Sequence, residues 1–253
     1  VFIVWGRKIT RRPLGFVADF CGICREPRAF RMSRLGSAGH VYYISFGEGN
    51  LVGHERTCTS CGTFSEADVN AYTSISRSAG SLESLKRETF PGLDAALEGR
   101  RALEERIKTA PHLLSAEERI GLIRSPLNLL SPKVEKRFAS TNLDGGVVLA
   151  IAGAVALLVI LPAIGKSVSD NGAGPSILIA LVLGIAAVTW QFIAAGQRFM
   201  RKEVLPVLAK SLAPLKPSEA EIARALGDFS KAGHKIGKKL KAAEVLESTR
   251  SAL

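Results

Sequence analysis

Polar residues vanish from two long stretches of this chain and recur with helical or strand spacing almost everywhere else. Gly145–Gly165 and Ser176–Gly196 contain no charged side chain, and only the loop from Lys166 to Pro175 separates them. Each block has about 21 residues, which as a helix spans ~31 Å, the thickness of a hydrocarbon core. Neither offers a polar face to water, so the pattern predicts a two-helix transmembrane hairpin rather than core helices of a soluble domain. Asp144 suits the N-cap of the first span. Trp190 lies towards the far end of the second, where aromatic anchors concentrate. Gly146, Ala150 and Ala154, and then Ala180 and Gly184, repeat at four-residue spacing and would let the two backbones approach. No ionisable residue interrupts either block, so the spans carry no marks of a transporter or channel.

Upstream, residues 63–144 read as a helical linker or stalk. Leu93, Leu97, Leu103 and Ile107 recur at helical spacing within Gly92–Lys108, with Arg101, Glu104 and Glu105 on other faces, and Pro111 ends the element. Ser115 and Glu118 form a capping-box pair that opens a second helix through Ile120, Leu122 and Ile123. Pro126 is expected to close that helix, and Ser131-Pro132 to start a third that carries Lys133–Arg137 to the membrane. Downstream, residues 197–253 form a basic helical tail. Ser218 and Glu221 repeat the capping box, and Ile222, Leu226, Phe229, Ile236 and Leu240 make one apolar stripe beside Lys231, Lys235, Lys238, Lys239 and Lys241. Gly233 and Gly237 place a break near Ala232–His234. The tail's apolar face is expected either on the inner membrane surface or on the helical middle region.

The first 62 residues have strand character instead. Leu14–Phe20, Ala29–Arg34 and Val41–Phe46 are rich in strand formers, and Gly47–Asn50 is a turn leading to Leu51-Val52. Val1–Trp5 is too short for the apolar core of a secretory signal and is followed at once by Arg7, Lys8, Arg11 and Arg12.

Charge adds a direction. The chain carries +11 overall, made of +5 in residues 1–62, zero in 63–144 and in 145–197, and +6 in 198–253. Lys133, Lys136 and Arg137 precede the first span and Arg198, Arg201, Lys202 and Lys210 follow the second, whereas the loop has Lys166 against Asp170. The positive-inside rule then puts both termini in the cytoplasm, with the bacterial inner membrane as the expected location. The basic ends suit anionic lipid at the inner face. Nucleic acid is a weaker partner for them, because no recognised nucleic-acid motif accompanies the charge.

All four cysteines fall in the first segment, as Cys21-Gly-Ile-Cys24 and Cys58-Thr-Ser-Cys61. Two CxxC turns, each aiming two sulfurs at one point about 2.3 Å away, complete a tetrahedron, so Cys21, Cys24, Cys58 and Cys61 are expected to hold one structural Zn2+. Gly62 suits the tight turn of the second knuckle; the first has Arg25 there. His54 lies between the pairs and is expected to be a strand residue. A redox dithiol is the rival reading, with two pairs and no surrounding βαβ pattern against it.

Val1-Phe-Ile-Val-Trp-Gly6, Pro13-Leu-Gly15, Phe20–Cys24, Arg31–Arg34, Tyr42-Tyr-Ile44 and Cys58–Gly62 together resemble the small zinc-ribbon domain found near the N-terminus of many uncharacterised bacterial and fungal proteins. The resemblance covers about a quarter of the chain. It implies a zinc-holding ribbon over residues 1–62, and the family has no settled activity to carry over. Ser45-Phe46 departs from the Pro-Leu often found in that family.

The expected architecture is therefore a small β zinc ribbon, an α-helical region and a two-helix transmembrane hairpin, mostly α. His40, His54, His112 and His234 have no nucleophile signature beside them, and phosphate-binding glycine loops are absent, so no enzyme and no small-molecule substrate is expected. A binding or scaffolding module for a protein partner is the leading role. A membrane-tethered thiol redox or metal sensor is the first alternative, and a nucleic-acid-binding membrane protein the second.

Overall fold

A computed structural model describes residues 5–41, 44–45, 47–139, 144–169 and 173–251. The expectations placed on Val1–Val4, on Tyr42, Tyr43 and Phe46 of the aromatic strand, and on Asp170 lie outside the described residues.

The chain opens with an antiparallel sheet of β1 (Trp5–Cys21), β2 (Glu26–Val41), β3 (Ile44–Ser45), β4 (Asn50–Cys58) and β5 (Phe64–Glu66), in the order β1-β2-β4-β5 with the short β3 also on β2. β1 and β2 form one long hairpin, paired from Cys21↔Glu26 at the turn to Trp5↔Val41 at the open end. Both strands outrun the expected Leu14–Phe20 and Ala29–Arg34. The outer half of β1 is largely exposed on both sides, and the buried positions of the outer half of β2 are the small residues Gly36 and Ala38, so no large apolar alternation marks either strand there. The register slips between Pro13 and Gly15. Gly15 (φ 150°) then bonds alongside the Phe16–Ser76 bridge, where a Cβ would meet the Ser76 carbonyl oxygen at 2.2 Å. Only glycine fits that approach.

Helix α1 (Leu82–Thr89) lies on the sheet, capped by Ser81. Its Thr89 hydroxyl accepts the Ala18 N–H at 2.9 Å and donates to the Leu85 carbonyl at 2.8 Å, while Ala18, Leu85 and Leu93 form a small core of their own. The single helix expected over Gly92–Lys108 is two, α2 (Leu93–Ala96) and α3 (Glu98–Thr109), broken at Leu97. The break has a packing cause. Leu93 belongs to the small core and Ile107 to the main one, and a straight axis would not deliver both.

The prolines do not end the next helix. Helix α4 runs unbroken over Ala116–Ala139 with Pro126 and Pro132 inside it, so Pro126 closes nothing and Ser131-Pro132 starts nothing. An internal proline costs about 3 kcal/mol. Here each is offset by the face it would otherwise sacrifice: Leu122, Ile123, Leu127, Leu130 and Val134 are all buried along that one helix. Two large buried side chains contribute about as much as one such proline costs.

Helix α5 (Gly145–Val168) and helix α6 (Ala173–Phe199) pack side by side. Both are long and apolar enough to span a membrane, and only 6% and 11% of their most apolar stretches is buried within the protein. Soluble core helices would show the reverse. Gly184 meets Ala154 so closely that a Cβ on it would lie 3.0 Å from the Ala154 Cβ, and Ala180 is fully buried, so these small residues do set the approach of the two backbones. Asp144 caps α5 by accepting the Val147 N–H at 2.9 Å, and Arg198 of α6 donates to the same carboxylate at 2.8 Å. The foot of the hairpin is thereby clamped. That double partnership also holds the Asp144 carboxyl below the usual carboxylate range, the backbone N–H contributing most.

Helix α6 does not stop at the foot. Through a π turn (Met200–Val204) it continues into α7 (Leu205–Leu212), so one helical rod spans Gly174–Leu215. Pro206 explains the π turn: its ring excludes the carbonyl a turn earlier and it brings no N–H, and widening the turn relieves both. Helices α8 (Glu219–Lys231), α9 (Lys235–Lys239) and α10 (Ala242–Ser251) complete the fold. The break after Lys231 falls where the glycines placed it, with Gly233 at φ 90°.

The core is shared. Val17, Phe30 and Met32 from the sheet, Ile107 and Leu130 from α3 and α4, Leu208 and Leu212 from α7, and Ile222, Leu226, Phe229, Ile236, Leu240 and Val245 from the tail belong to one buried cluster. Of the two places open to the tail's apolar stripe, it occupies the protein interior.

Candidate metal centre

The two CxxC turns stand at the same end of the sheet because of register. Cys21 ends β1 and faces Glu26 on β2, and β2 pairs Phe30 with Cys58 at the end of β4. Each turn then closes with the same backbone bond: Arg25 N–H donates to the Cys21 carbonyl at 2.7 Å, and Gly62 N–H to the Cys58 carbonyl at 3.0 Å. Each also needs a left-handed residue at that position, Arg25 at φ 58° and Gly62 at φ 69°. Gly62 adopts it freely.

All four sulfurs lie within 4.8 Å of one another, with Cys21 and Cys61 at 3.6 Å. A tetrahedron with metal–sulfur bonds of about 2.3 Å has edges of about 3.8 Å, so the four cysteines are positioned to bind one metal ion. A disulfide needs about 2.05 Å, so all four are free thiols. Cys21 and Cys58 are buried, and Cys24 and Cys61 are half-buried towards solvent. Among the described residues this is the cluster of His, Cys, Asp and Glu ligand atoms that could hold a metal. His54 sits in β4 opposite Arg34 and outside that cluster, a strand residue as expected.

Electrostatics show what the cluster lacks by itself. Hydrogen bonds with Cys21 and then Cys58 pull the Cys61 thiol far down, and hydrogen bonds with Cys58 and then Cys61, with burial, push Cys21 far up. Burial, then the negative charge of Cys61 and Cys58, pushes Cys24 up to about 11. A thiolate at Cys61 thus disfavours ionisation of Cys21 and Cys24 beside it. Four thiolates at this spacing require a cation among them, and an all-sulfur tetrahedral donor set is the kind that zinc accepts.

The centre is seated through Arg25. Arg25 occupies the glycine-like position and pays for the left-handed backbone, about 1–2 kcal/mol, through its side chain. Its Nε donates to the Ser211 carbonyl of α7 at 2.8 Å and its Nη1 to Glu104 Oε2 of α3 at 3.0 Å. Both ions are buried, Arg25 at 8% and Glu104 at 5% exposure, and Arg100 pairs with the other Glu104 oxygen at 2.9 Å. Glu104 is thus no solvent-face residue, contrary to its place in the helical pattern. Gly22, at the tip of the first turn, packs on α4, where a Cβ would meet Leu129 Cδ1 at 2.9 Å. The signal for Arg25 was its place directly after CxxC, where the second turn has glycine; for Glu104 there was none.

No family model, no curated protein and no solved structure matches the chain. What the residues themselves define is a membrane-associated protein with a metal-binding cysteine cluster, in which a CxxC–CxxC ribbon arrangement is joined to two apolar helices.

Proposed function

We propose that this chain is a two-pass protein of the bacterial inner membrane, with both termini cytoplasmic and one structural Zn2+ on Cys21, Cys24, Cys58 and Cys61. Its role is that of a non-enzymatic binding or scaffolding module displayed at the cytoplasmic face. Four protein thiolates fill a tetrahedral shell and leave no position for water or substrate, which favours structure over catalysis.

The observation that carries this reading is the seat of Arg25. It joins the first metal turn to Glu104 of α3 and to Ser211 of α7, the rod continuous with the second apolar helix. A metal at the knuckles therefore fixes the sheet to the membrane-spanning rod. The basic flanks of both spans support the orientation.

Two measurements on the full chain in detergent test it. Elemental analysis after purification under reducing conditions is expected to give one zinc per chain, with all four thiols protected from alkylation until a chelator is added. A reporter fused after Ser251 is expected on the cytoplasmic side. Disulfides in place of metal would turn the reading to a thiol redox device, and a periplasmic reporter would overturn the topology.

A further inference from the structure

The short helix α9 is fixed with one side inward and the other outward. At about 100° per residue, Ile236 and Gly237 share one side of it, and Lys235, Lys238 and Lys239 share the other. Ile236 is fully buried, and Gly237 lies so near α8 that a Cβ would meet the Ser230 nitrogen at 2.4 Å and the Leu226 carbonyl oxygen at 2.5 Å. Any larger residue at 237 would push α9 off its seat. The three lysines are exposed on the opposite side as a result. What they face is decided by where α9 sits.

That seat is at the foot of the hairpin. Glu135 of α4 accepts the Lys235 N–H, and Lys239 Nζ lies 5.4 Å from the centre of the Phe138 ring, so α9 runs beside the last turn of α4. The Phe138 ring touches α6 where its apolar block ends: a Cβ on Gly196 would meet it at 2.8 Å. A headgroup layer is about 5–8 Å deep on each side of a bilayer. With α6 spanning the core, Lys239 therefore stands within that layer, beside an aromatic ring at its boundary. On another flank α4 presents Arg137, 5.6 Å from the Phe199 ring, to a cavity of about 540 Å³ that Arg198 and Lys202 also line. Lys202 is exposed about 9 Å along the rod from Gly196, within reach of the same layer through its long stem. The carboxylates around the foot already face cations or an N–H: Asp144 meets Arg198, Glu203 meets Lys133, Glu244 meets Arg201, and Glu135 takes the Lys235 amide. The foot is left positive.

We propose that the foot of the hairpin binds the headgroups of anionic phospholipids, with Lys238 and Lys239 of α9 on one flank of α4 and Arg137 and Lys202 on another. Each long side chain lays its stem along the apolar boundary and brings its charge to a lipid phosphate. The tail thus reaches the membrane surface through α9, while its apolar stripe stays in the protein core. This inference rests on α5 and α6 crossing the bilayer.

The test uses the full chain in phosphatidylcholine vesicles holding a trace of spin-labelled phosphatidylglycerol or spin-labelled phosphatidylcholine, read by electron spin resonance. Lipid in contact with the protein gives a motionally restricted component. That component is expected to favour phosphatidylglycerol by more than about twofold. K238E/K239E is expected to lower the preference by at least about half, and K202E/K238E/K239E to abolish it. K210E/K216E carries the same charge change as the double variant away from the foot, with Lys210 about 21 Å beyond Gly196, and is expected to keep the preference. Equal restriction of both lipids by the native chain, or a preference that survives K202E/K238E/K239E, would overturn the site. An equal loss in K210E/K216E would overturn it too, in favour of diffuse charge. A preference erased by inorganic phosphate but not by chloride of the same ionic strength would assign the foot to free phosphate instead. No restricted component for either lipid would remove the spans themselves, and the inference with them.

Discussion

Helices α4 and α5 are each 24 residues long, both rich in Leu, Ile and Val, and both carry proline inside them, yet they bury their apolar side chains very differently. In α4 the apolar positions fall on one side, and Leu122, Ile123, Leu127, Leu130 and Val134 are buried against the sheet, α7 and the tail. In α5 they fall all round: Val147 is the buried residue at its start, while Leu149, Val155 and Val159 stay more than half exposed. What separates the two is the presence of polar residues at the remaining positions. Arg119 and Arg124 of α4 face Glu221 and Asp228 of α8, whereas α5 has no charge before Lys166. An apolar stripe is an instruction to pack on protein, and an apolar cylinder is an instruction to leave water for lipid.

The sharpest way to separate the two regions is to remove the metal. Cys21→Ser is expected to abolish metal binding and unfold the sheet and its shared core, because structural zinc contributes on the order of 10–16 kcal/mol in small domains. The spans should stay inserted and helical. Limited proteolysis in detergent would show rapid cleavage before residue 139 and after 204 with a protected α5–α6 fragment. Loss of that fragment as well would mean that the two regions fold as one.

Next in size is the buried ion pair. Glu104→Ala leaves Arg25 charged and buried beside the first metal turn, and is expected to cost about 3–5 kcal/mol in denaturant unfolding. Release of the metal at lower chelator concentration should accompany it. A change under about 1 kcal/mol would show that Arg25 needs only the Ser211 carbonyl and Arg100 rearranges at little cost.

The helix comparison can be tested by matched truncations. Leu130→Ala in α4 is expected to destabilise the sheet and its shared core by about 2–5 kcal/mol. Leu149→Ala in α5 removes the same atoms from a site exposed on the protein surface and should change that stability by less than about 0.5 kcal/mol. Equal effects would erase the distinction between stripe and cylinder.

The smallest effect is a pH dependence. Arg119 donates two bonds to Glu221, at 2.8 and 3.1 Å, and with the Ser218 cap holds its carboxyl down at about 2 from an ordinary 4.5. A depressed carboxyl stabilises the folded state fully above its unfolded value, so this contribution is present above about pH 4.5 and is lost as pH falls towards 2. Partial exposure limits it to about 1 kcal/mol. Acid unfolding of Glu221→Gln should therefore lack that part of the slope, with wild type and variant converging at the acid end.

Local chemistry was legible in the residues, and distant pairing was not. Both capping boxes are present, Ser115 with Glu118 and Ser218 with Glu221, because their partners lie three residues apart. The cysteine cluster was readable for the same reason within each turn, and the two apolar helices because their composition is itself the signal. The length of β1 and β2 was hidden, since the outer half of β1 is largely exposed and the buried positions of β2 there are the small residues Gly36 and Ala38. Pro126 and Pro132 misled because local breakage is outweighed by burial that only the folded partner reveals. Glu104 looked like a surface residue of α3, and Arg25, 79 positions away, makes it an interior one.

The central claim is that the knuckles hold one zinc in a closed shell of four thiolates that seats the sheet on the rod. X-ray absorption at the zinc edge of the full chain, purified without added metal, tests it most directly. The account predicts one zinc per chain with four sulfur neighbours at about 2.3 Å and no nitrogen or oxygen in the shell. A shell containing water or imidazole, or a protein free of metal with its cysteines oxidised in pairs, would contradict it.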